Sequence, residues 1–285
     1  MKIERTYLYV RFCDASRGME AKMIKIIDLS LVKWNNVADG GSVGMLPKTI
    51  IHRGNKRYYV KMSSYNIAQG VYGIESVSEV IASRLARLLK IPCVNYELYD
   101  ANVVKDGKHI RTFVCISPDY KNDNETVVPF EDVYAQYRVN NEKALQFAKR
   151  IGISDSIYRM FIFDYIINNV DRHGANVEIY ESTETIAPLF DNGSSLYATT
   201  DEDKIKLYYY GDDMKVNNFI GDRSLLSNLY EVDKQIKIGT LIRPFRKDLF
   251  KNLGAVISRD RRDTIWNHIL RRYENARKIC NFKEI

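Results

Sequence analysis

Residues 161–195, FIFDYIINNVDRHGANVEIYESTETIAPLFDNGSS, constrain this chain more than any other stretch. An apolar run leads into a polar turn, Asp171-Arg172-His173-Gly174-Ala175-Asn176, and two short apolar runs lead into a second, Phe190-Asp191-Asn192-Gly193-Ser194. Residues 154–168 place Ile157, Phe161, Ile162 and Tyr165 at helical spacing, which predicts a buried helix that delivers Asp171. Residues 177–180 and 186–190 predict a strand pair ending at Asp191. An Asp, an Asn five positions on, and a second Asp at a strand end suit phosphoryl transfer from a nucleotide. One carboxylate orients or deprotonates a hydroxyl, while an amide oxygen and the other carboxylate hold magnesium on the phosphates. Alone, Asp-Asn-Gly is an ordinary tight turn; the first motif gives it chemical meaning.

Protein kinases carry H-R-D-x-x-x-x-N, with the His ahead of the Asp. Here the order is D-R-H-x-x-N, followed by a strand and F-D-N-G-S. In that order the chain resembles the HipA-like serine/threonine kinases of bacteria and, more distantly, the phosphoinositide 3-kinase-like group. The resemblance implies an α+β, two-lobed protein-kinase-like (phosphoinositide-kinase-like) fold, with a β-rich N-lobe over 1–118 and a mainly helical C-lobe over 119–285. It implies ATP and Mg2+ as cofactors, Asp171 as the base or orienting carboxylate, and Asn176 and Asp191 as magnesium ligands. His173 is not placed like a metal-liganding histidine and is expected to brace the loop by hydrogen bonds. Arg172 either neutralises phosphate or is solvated. Asp164, in mid-helix, is expected to be a buried structural carboxylate.

Upstream, Asp39-Gly40-Gly41-Ser42-Val43-Gly44 puts three glycines and a serine into five residues. Glycines let backbone N–H groups approach phosphate oxygens, so Gly40, Gly41, Ser42 and Gly44 either cover a triphosphate or make a hairpin turn. A hairpin follows, TIIHRG-N-KRYYVKM, turning at Gly54-Asn55. Its second strand carries Lys61. A strand lysine is usually solvated, but a glycine-rich stretch ending in Pro47-Lys48 and followed by Tyr59-Val60-Lys61 is similar to HipA-like kinases. Met45-Leu46, between Gly44 and Pro47, departs from their pattern. The resemblance makes Lys61 the lysine that grips phosphate, and Ser42 the candidate for autophosphorylation. Residues 75–90 predict a helix with Val77, Val80, Ile81, Leu85 and Leu88 on one face and Ser76 or Ser78 as its cap. Glu79 is the expected partner of Lys61, with Glu75 as the competitor. Strands are expected over 93–99 and 109–117. The resemblance sets the backbone of Cys115, Ile116 and Ser117 against adenine.

Residues 22–32 fit a strand or a short helix, and 119–131 a linker or surface loop. Helices are predicted over 132–150, 224–229, 233–241, 246–253 and 259–280, the last with Arg261, Arg262, Arg271 and Arg272 on a solvated face. Residues 194–223 hold the place of an activation segment. The 285 residues, 45% hydrophobic and 28% charged, suit an ordinary globular chain. Its four scattered cysteines predict buried free thiols, and its four scattered histidines suggest no zinc site. A net charge of +7 permits nucleic-acid contact without demanding it, and no aromatic pattern of an RNA-binding sheet is present, so nucleic acid is not the expected substrate. No apolar run approaches the roughly 18 residues of a membrane helix. The first residues, MKIERTYLYVRFCD, lack a signal-peptide core, so the expected location is the cytoplasm.

The expected activity is ATP-dependent transfer of the γ-phosphate to Ser or Thr of a protein, autophosphorylation included. The resembled family is known for toxin kinases. The short stretch before the glycine-rich loop resembles its minimal members and leaves an antitoxin or regulatory partner open. The alternatives are a lipid or small-molecule kinase on the same fold, and a catalytically silent basic scaffold or nucleic-acid binder. The joint presence of Lys61, Asp171, Asn176 and Asp191 argues against silence.

Overall fold

Strand-forming segments come first along the chain and gather into one six-stranded sheet. The structure is a computed structural model that describes residues 12–13, 24–34, 46–121, 125–182, 185–202, 204–205 and 215–285. Its first elements are β1 (Phe12–Cys13), β2 (Lys25–Leu29), β3 (Lys48–Arg53) and β4 (Lys56–Met62). A small separate hairpin, β5 (Tyr65–Asn66) and β6 (Gly70–Val71), precedes α1 (Glu75–Leu88), β7 (Glu97–Lys105) and β8 (Lys108–Pro118). The sheet order is β1-β2-β7-β8-β4-β3, antiparallel except for the parallel β2–β7 pair. Residues 22–32 thus contribute a strand. The β3–β4 hairpin turns where expected, with Gly54 at φ +57°. Ile27, Leu29, Val60, Met62, Val103 and Val114 are buried in a core of the sheet's own.

α1 packs against β4, β7 and β8 and turns Val77, Val80, Ile81 and Leu85 into a second, larger core shared with the helical part. Neither Ser76 nor Ser78 caps it. Ile74 holds the N-cap position without a side-chain bond, and both serines are buried within the helix. The Ser76 hydroxyl is used instead across the fold, bonded to the Ser63 hydroxyl at 3.0 Å and to the Phe113 carbonyl at 3.2 Å.

The remaining elements are β9 (Val127–Pro129), α2 (Phe130–Tyr137), α3 (Ala144–Arg150), α4 (Ser154–Ile167), β10 (Asp171–Arg172), β11 (Glu178–Tyr180), β12 (Thr185–Ile186), β13 (Asn217–Asn218), α5 (Leu225–Tyr230), β14 (Lys237–Ile238), α6 (Arg246–Leu249), α7 (Arg259–Cys280) and β15 (Lys283–Glu284). Several expectations are corrected here. The helix over 132–150 is two helices, because Arg138 goes extended at ψ 144° and Asn141 takes φ +59°. Residues 119–131 include a strand, β9, which joins β11 and β12 in a three-stranded sheet. Residues 233–241 are not helical. Asp233 accepts from the Gln235 N–H through its side chain, a local turn that competes with a helix, and β14 then pairs in parallel with β15. Of 246–253, only Arg246–Leu249 is α-helical.

The solvated arginine face of α7 is also overturned. Arg261 and Arg272 are buried, and Arg262 and Arg271 are half-buried. Arg261 donates to the Tyr197 carbonyl at 2.9 Å, and Arg272 lies over the Tyr165 ring at 4.0 Å while its Nε donates to the Tyr165 carbonyl. Long apolar stems and carbonyl acceptors let these side chains enter the core. Cys115 and Cys280 are buried and Cys93 half-buried, all as free thiols. Among the described residues, no helix is long and apolar enough to cross a membrane.

Candidate active site

The site grows from the end of α4. Every residue from Met160 to Ile167 is buried, Asp164 included. Asn168 then takes the left-handed conformation, φ +52°, and ends the helix. Asn169 turns back onto it, its N–H donating to the Asp164 carbonyl at 2.9 Å and its Nδ2 to Asp164 Oδ1 at 3.1 Å. Asn169 Oδ1 in turn accepts from the Asp171 N–H at 3.2 Å. A buried pedestal therefore fixes the backbone of Asp171, whose side chain remains half-exposed.

Arg172, 1% exposed, points the other way, into the protein. Its Nε donates to Asp164 Oδ2 at 3.0 Å and its Nη2 to Asp164 Oδ1 at 2.8 Å. Nη2 also reaches Asn192 Oδ1 at 2.6 Å, and Nη1 reaches the carbonyls of Phe190 at 2.8 Å and Asn176 at 3.3 Å. A guanidinium has five N–H groups, and these five bonds engage them. Arg172 is neither a phosphate contact nor a solvated side chain. It ties the 171–176 turn to the 190–192 turn and neutralises Asp164, the structural carboxylate expected in α4. Burial alone would lower the basicity of Arg172, but the Asp164 carboxylate outweighs it and holds the group above the usual arginine range.

The second cation is Lys61, on β4. Its Nζ donates to Glu79 Oε1 at 2.7 Å and to Asp191 Oδ1 at 2.9 Å. The side chain of Glu79 is fully buried, that of Lys61 is 13% exposed and that of Asp191 is 41% exposed. Asp191 sits at φ +55°, five residues past the end of β12 at Ile186 and not at the end of a strand over 186–190 as expected, and the next N–H, of Asn192, donates to Glu79 Oε2 at 2.9 Å. Both oxygens of Glu79 are thus used. Burial works against the Lys61 ammonium, yet Asp191 and Glu79 together hold it well above the usual lysine range. Glu79 is pushed up by burial despite Lys61, while Asp191 resists burial and is pulled down by Lys61, with help from Lys48 and Arg172. Glu75, the competing carboxylate, does not approach Lys61; it accepts from the Ser64 N–H at 3.3 Å and from the Ser64 hydroxyl.

Asn176 closes a short 3-10 turn and donates its Nδ2 to the Asp171 carbonyl at 3.2 Å, which leaves its oxygen to serve as an acceptor or ligand. The oxygen donors of Asn176 and Asp191 are the hard type that magnesium takes, so these residues fit that ion. His173 takes part through its backbone, its carbonyl accepting from the Asn176 N–H at 3.0 Å. Among the described residues its imidazole makes no hydrogen bond, so the bracing expected of that side chain is not seen.

Cys115 lies opposite Lys61 on β8, and Ile116 opposite Glu97 on β7. The Asp119 N–H donates to the Arg57 carbonyl, which sets the alternation of the ladder: Cys115 and Ser117 face β4, and Ile116 faces β7. The backbone groups expected to meet adenine at Cys115, Ile116 and Ser117 are therefore directed at neighbouring strands. The first carbonyl pointing past the start of β7 belongs to Pro118. Gly40, Gly41, Ser42 and Gly44 lie outside the described residues.

Sequence reasoning missed three participants. Asn192 links Glu79 to Arg172, and nothing in a tight-turn sequence announces that. Tyr96 lies beneath the Lys61 ammonium, 5.5 Å from ring centre to Nζ, from a segment read only as strand. Asn217 donates its Nδ2 to Asp171 Oδ1 at 2.8 Å from 46 positions downstream. Only the parallel pairing of β10 with β13 brings it there.

No protein-family model matches the sequence, and no curated protein matches it. Among solved structures, the chain is similar to the proinflammatory kinase CtkA of Helicobacter pylori, at 16% identity over 90% of this chain and 96% of that one, with a TM-score of 0.58. It also matches HipA of the Shewanella oneidensis MR-1 toxin–antitoxin system, solved with HipB and operator DNA, at 12% identity over 87% of this chain and 67% of that one, with a TM-score of 0.43. The chain has a kinase-like α+β fold.

Proposed function

We propose that this chain is a HipA-like, ATP- and magnesium-dependent kinase that transfers the γ-phosphate to a Ser or Thr hydroxyl of a protein. In this reading its two lobes are residues 1–118 and 119–285. The observation that carries it is the Lys61 ammonium held between a buried Glu79 and a half-exposed Asp191, on a turn that Arg172 ties to the turn carrying Asp171. Glu79 is locked by Asn192, so it fixes Lys61 beside the part-exposed Asp191, where triphosphate oxygens would meet it. Asp191 and Asn176 would hold magnesium, which neutralises charge on the phosphates. Asp171 orients the acceptor and takes its proton. The acceptor oxygen bonds the γ-phosphorus, the bond to the bridging oxygen breaks, and ADP leaves with that electron pair. The joint presence of Lys61, Asp171, Asn176 and Asp191 favours this chemistry over a silent scaffold on the same fold. Purified protein given ATP and magnesium should hydrolyse ATP or phosphorylate itself, and Asp171→Ala should lower the rate by about a hundredfold or more. Equal rates for parent and variant would remove Asp171 from the reaction.

A further inference from the structure

Residues 215–224 form a closed, hydrogen-bonded loop against the helical part. The Val216 N–H donates to the Arg223 carbonyl at 2.8 Å, and Lys215 bridges Ser224. Inside the loop, Asn218 Oδ1 accepts from the N–H groups of Ile220 at 3.1 Å and Gly221 at 2.9 Å. Asn228, buried on α5, grips the outer side: its Oδ1 accepts from the Asp222 N–H at 2.6 Å and its Nδ2 donates to the Asp222 carbonyl at 3.0 Å. Gly221 approaches so closely that an added Cβ would lie 2.3 Å from Asn228 Oδ1 and 2.7 Å from the Phe161 ring of α4. The loop is anchored on α4 and α5, and its inner strand has a set position.

That inner strand is β13, parallel to β10, with Asn217 opposite Asp171. The Asn217 N–H donates to the Val170 carbonyl at 2.9 Å, and the Phe219 N–H to the Arg172 carbonyl at 3.1 Å. This ladder sets the Asn217 carboxamide against Asp171 Oδ1 at 2.8 Å. Among the described residues, Asp171 Oδ2 has no hydrogen-bond partner. We infer that Asn217 is a positioning residue for phosphoryl transfer: it holds one oxygen of Asp171 so that the other faces the acceptor hydroxyl. This rests on Asp171 being the carboxylate that orients the acceptor. A carboxylate turning about two bonds would sample many orientations, and loss of alignment slows a reaction without weakening nucleotide binding. Arg172, the nearest cation in sequence, is fully engaged inside the protein and cannot do this. Through Asn217, the segment after residue 214 acts directly on the reacting carboxylate.

The test compares magnesium–ATP turnover, ATP affinity and thermal midpoint for the full chain and its variants Asn217→Asp, Asn217→Ser, Asp171→Ala and the double variant Asp171→Ala/Asn217→Asp. Asn217→Asp keeps the shape but replaces the donor with a second carboxylate, so repulsion of Asp171 adds to the lost bond; Asn217→Ser is neutral, keeps a shorter donor and carries the comparison if the first fails to fold. The expected result is a fall in kcat of about tenfold to a hundredfold for Asn217→Asp, with the KM for ATP and the midpoint close to the parent's. Asn217→Ser should recover part of the loss. The double variant should be no slower than Asp171→Ala alone, because groups acting through one another are not additive. Unchanged kcat in both Asn217 variants, a loss that multiplies onto Asp171→Ala, or a loss that follows the thermal midpoint would each overturn the inference and leave the kinase reading standing. A parent with no turnover removes the kinase reading, and this inference with it.

Discussion

Two cations, Lys61 and Arg172, are each held by buried carboxylates, Lys61 by Glu79 and Arg172 by Asp164. Arg172 is 1% exposed, meets Asp164 with two bonds, and spends its other N–H groups on Asn192, Phe190 and Asn176. Nothing is left for a ligand. Lys61 meets two carboxylates, one buried and one 41% exposed. A closed set of partners holds the fold, whereas a set with one exposed member can be rearranged around a ligand. The two are joined at Asn192, whose N–H goes to Glu79 and whose side chain goes to Arg172. The buried Arg172 thereby helps to fix Glu79, the carboxylate that holds Lys61.

The difference can be broken most forcefully at Arg172. Arg172→Ala leaves Asp164 buried and uncompensated, which should cost about 3–5 kcal/mol of folding stability, measured by urea unfolding. A loss below about 1 kcal/mol would mean that Arg172 is not the brace described. Lys61→Ala also strips the buried Glu79 of its cation and so should cost stability as well, but the effect that sets it apart is on binding. Losing a charge-assisted contact worth about 1.5–3 kcal/mol should weaken ATP by about tenfold or more and leave adenosine affinity unchanged in calorimetric titration. Equal weakening of both ligands would place Lys61 away from the phosphates. The smallest effect is read at Cys93, whose Sγ lies 3.6 Å from Asn192 Nδ2 between the two regions. Burial pushes its thiol up to about 12, so iodoacetamide should label it far more slowly in the native protein than in urea, as followed by mass spectrometry. Native labelling as fast as in urea would show that the joint between the regions opens freely.

Local pattern was legible where apolar spacing and turn chemistry acted alone. The β3–β4 hairpin, α1, α4 and α7 follow from periodicity and from Gly54. The pairing of Lys61 with Glu79, rather than Glu75, and the burial of Asp164 also agree with expectation. What escaped was set by distant contacts. The arginines of α7 looked solvated because a charge on a helix usually is, but the carbonyls of Tyr165 and Tyr197 and the Tyr165 ring help to make burial tolerable. Residues 233–241 have helical composition, but the Asp233 turn and the pairing with β15 prevail. Asn217 carries no signal of its own; a parallel ladder with β10 gives it its place.

The most direct measurement is a crystal structure of the protein with a non-hydrolysable ATP analogue and magnesium. The expected result is Lys61 Nζ on a phosphate oxygen, the side-chain oxygens of Asp191 and Asn176 at about 2.1 Å from the metal, and Arg172 unmoved on Asp164. Nucleotide bound elsewhere, or Lys61 more than about 6 Å from every phosphate oxygen and so beyond close pairing, would contradict the assignment of Lys61 as the cation that meets the ligand.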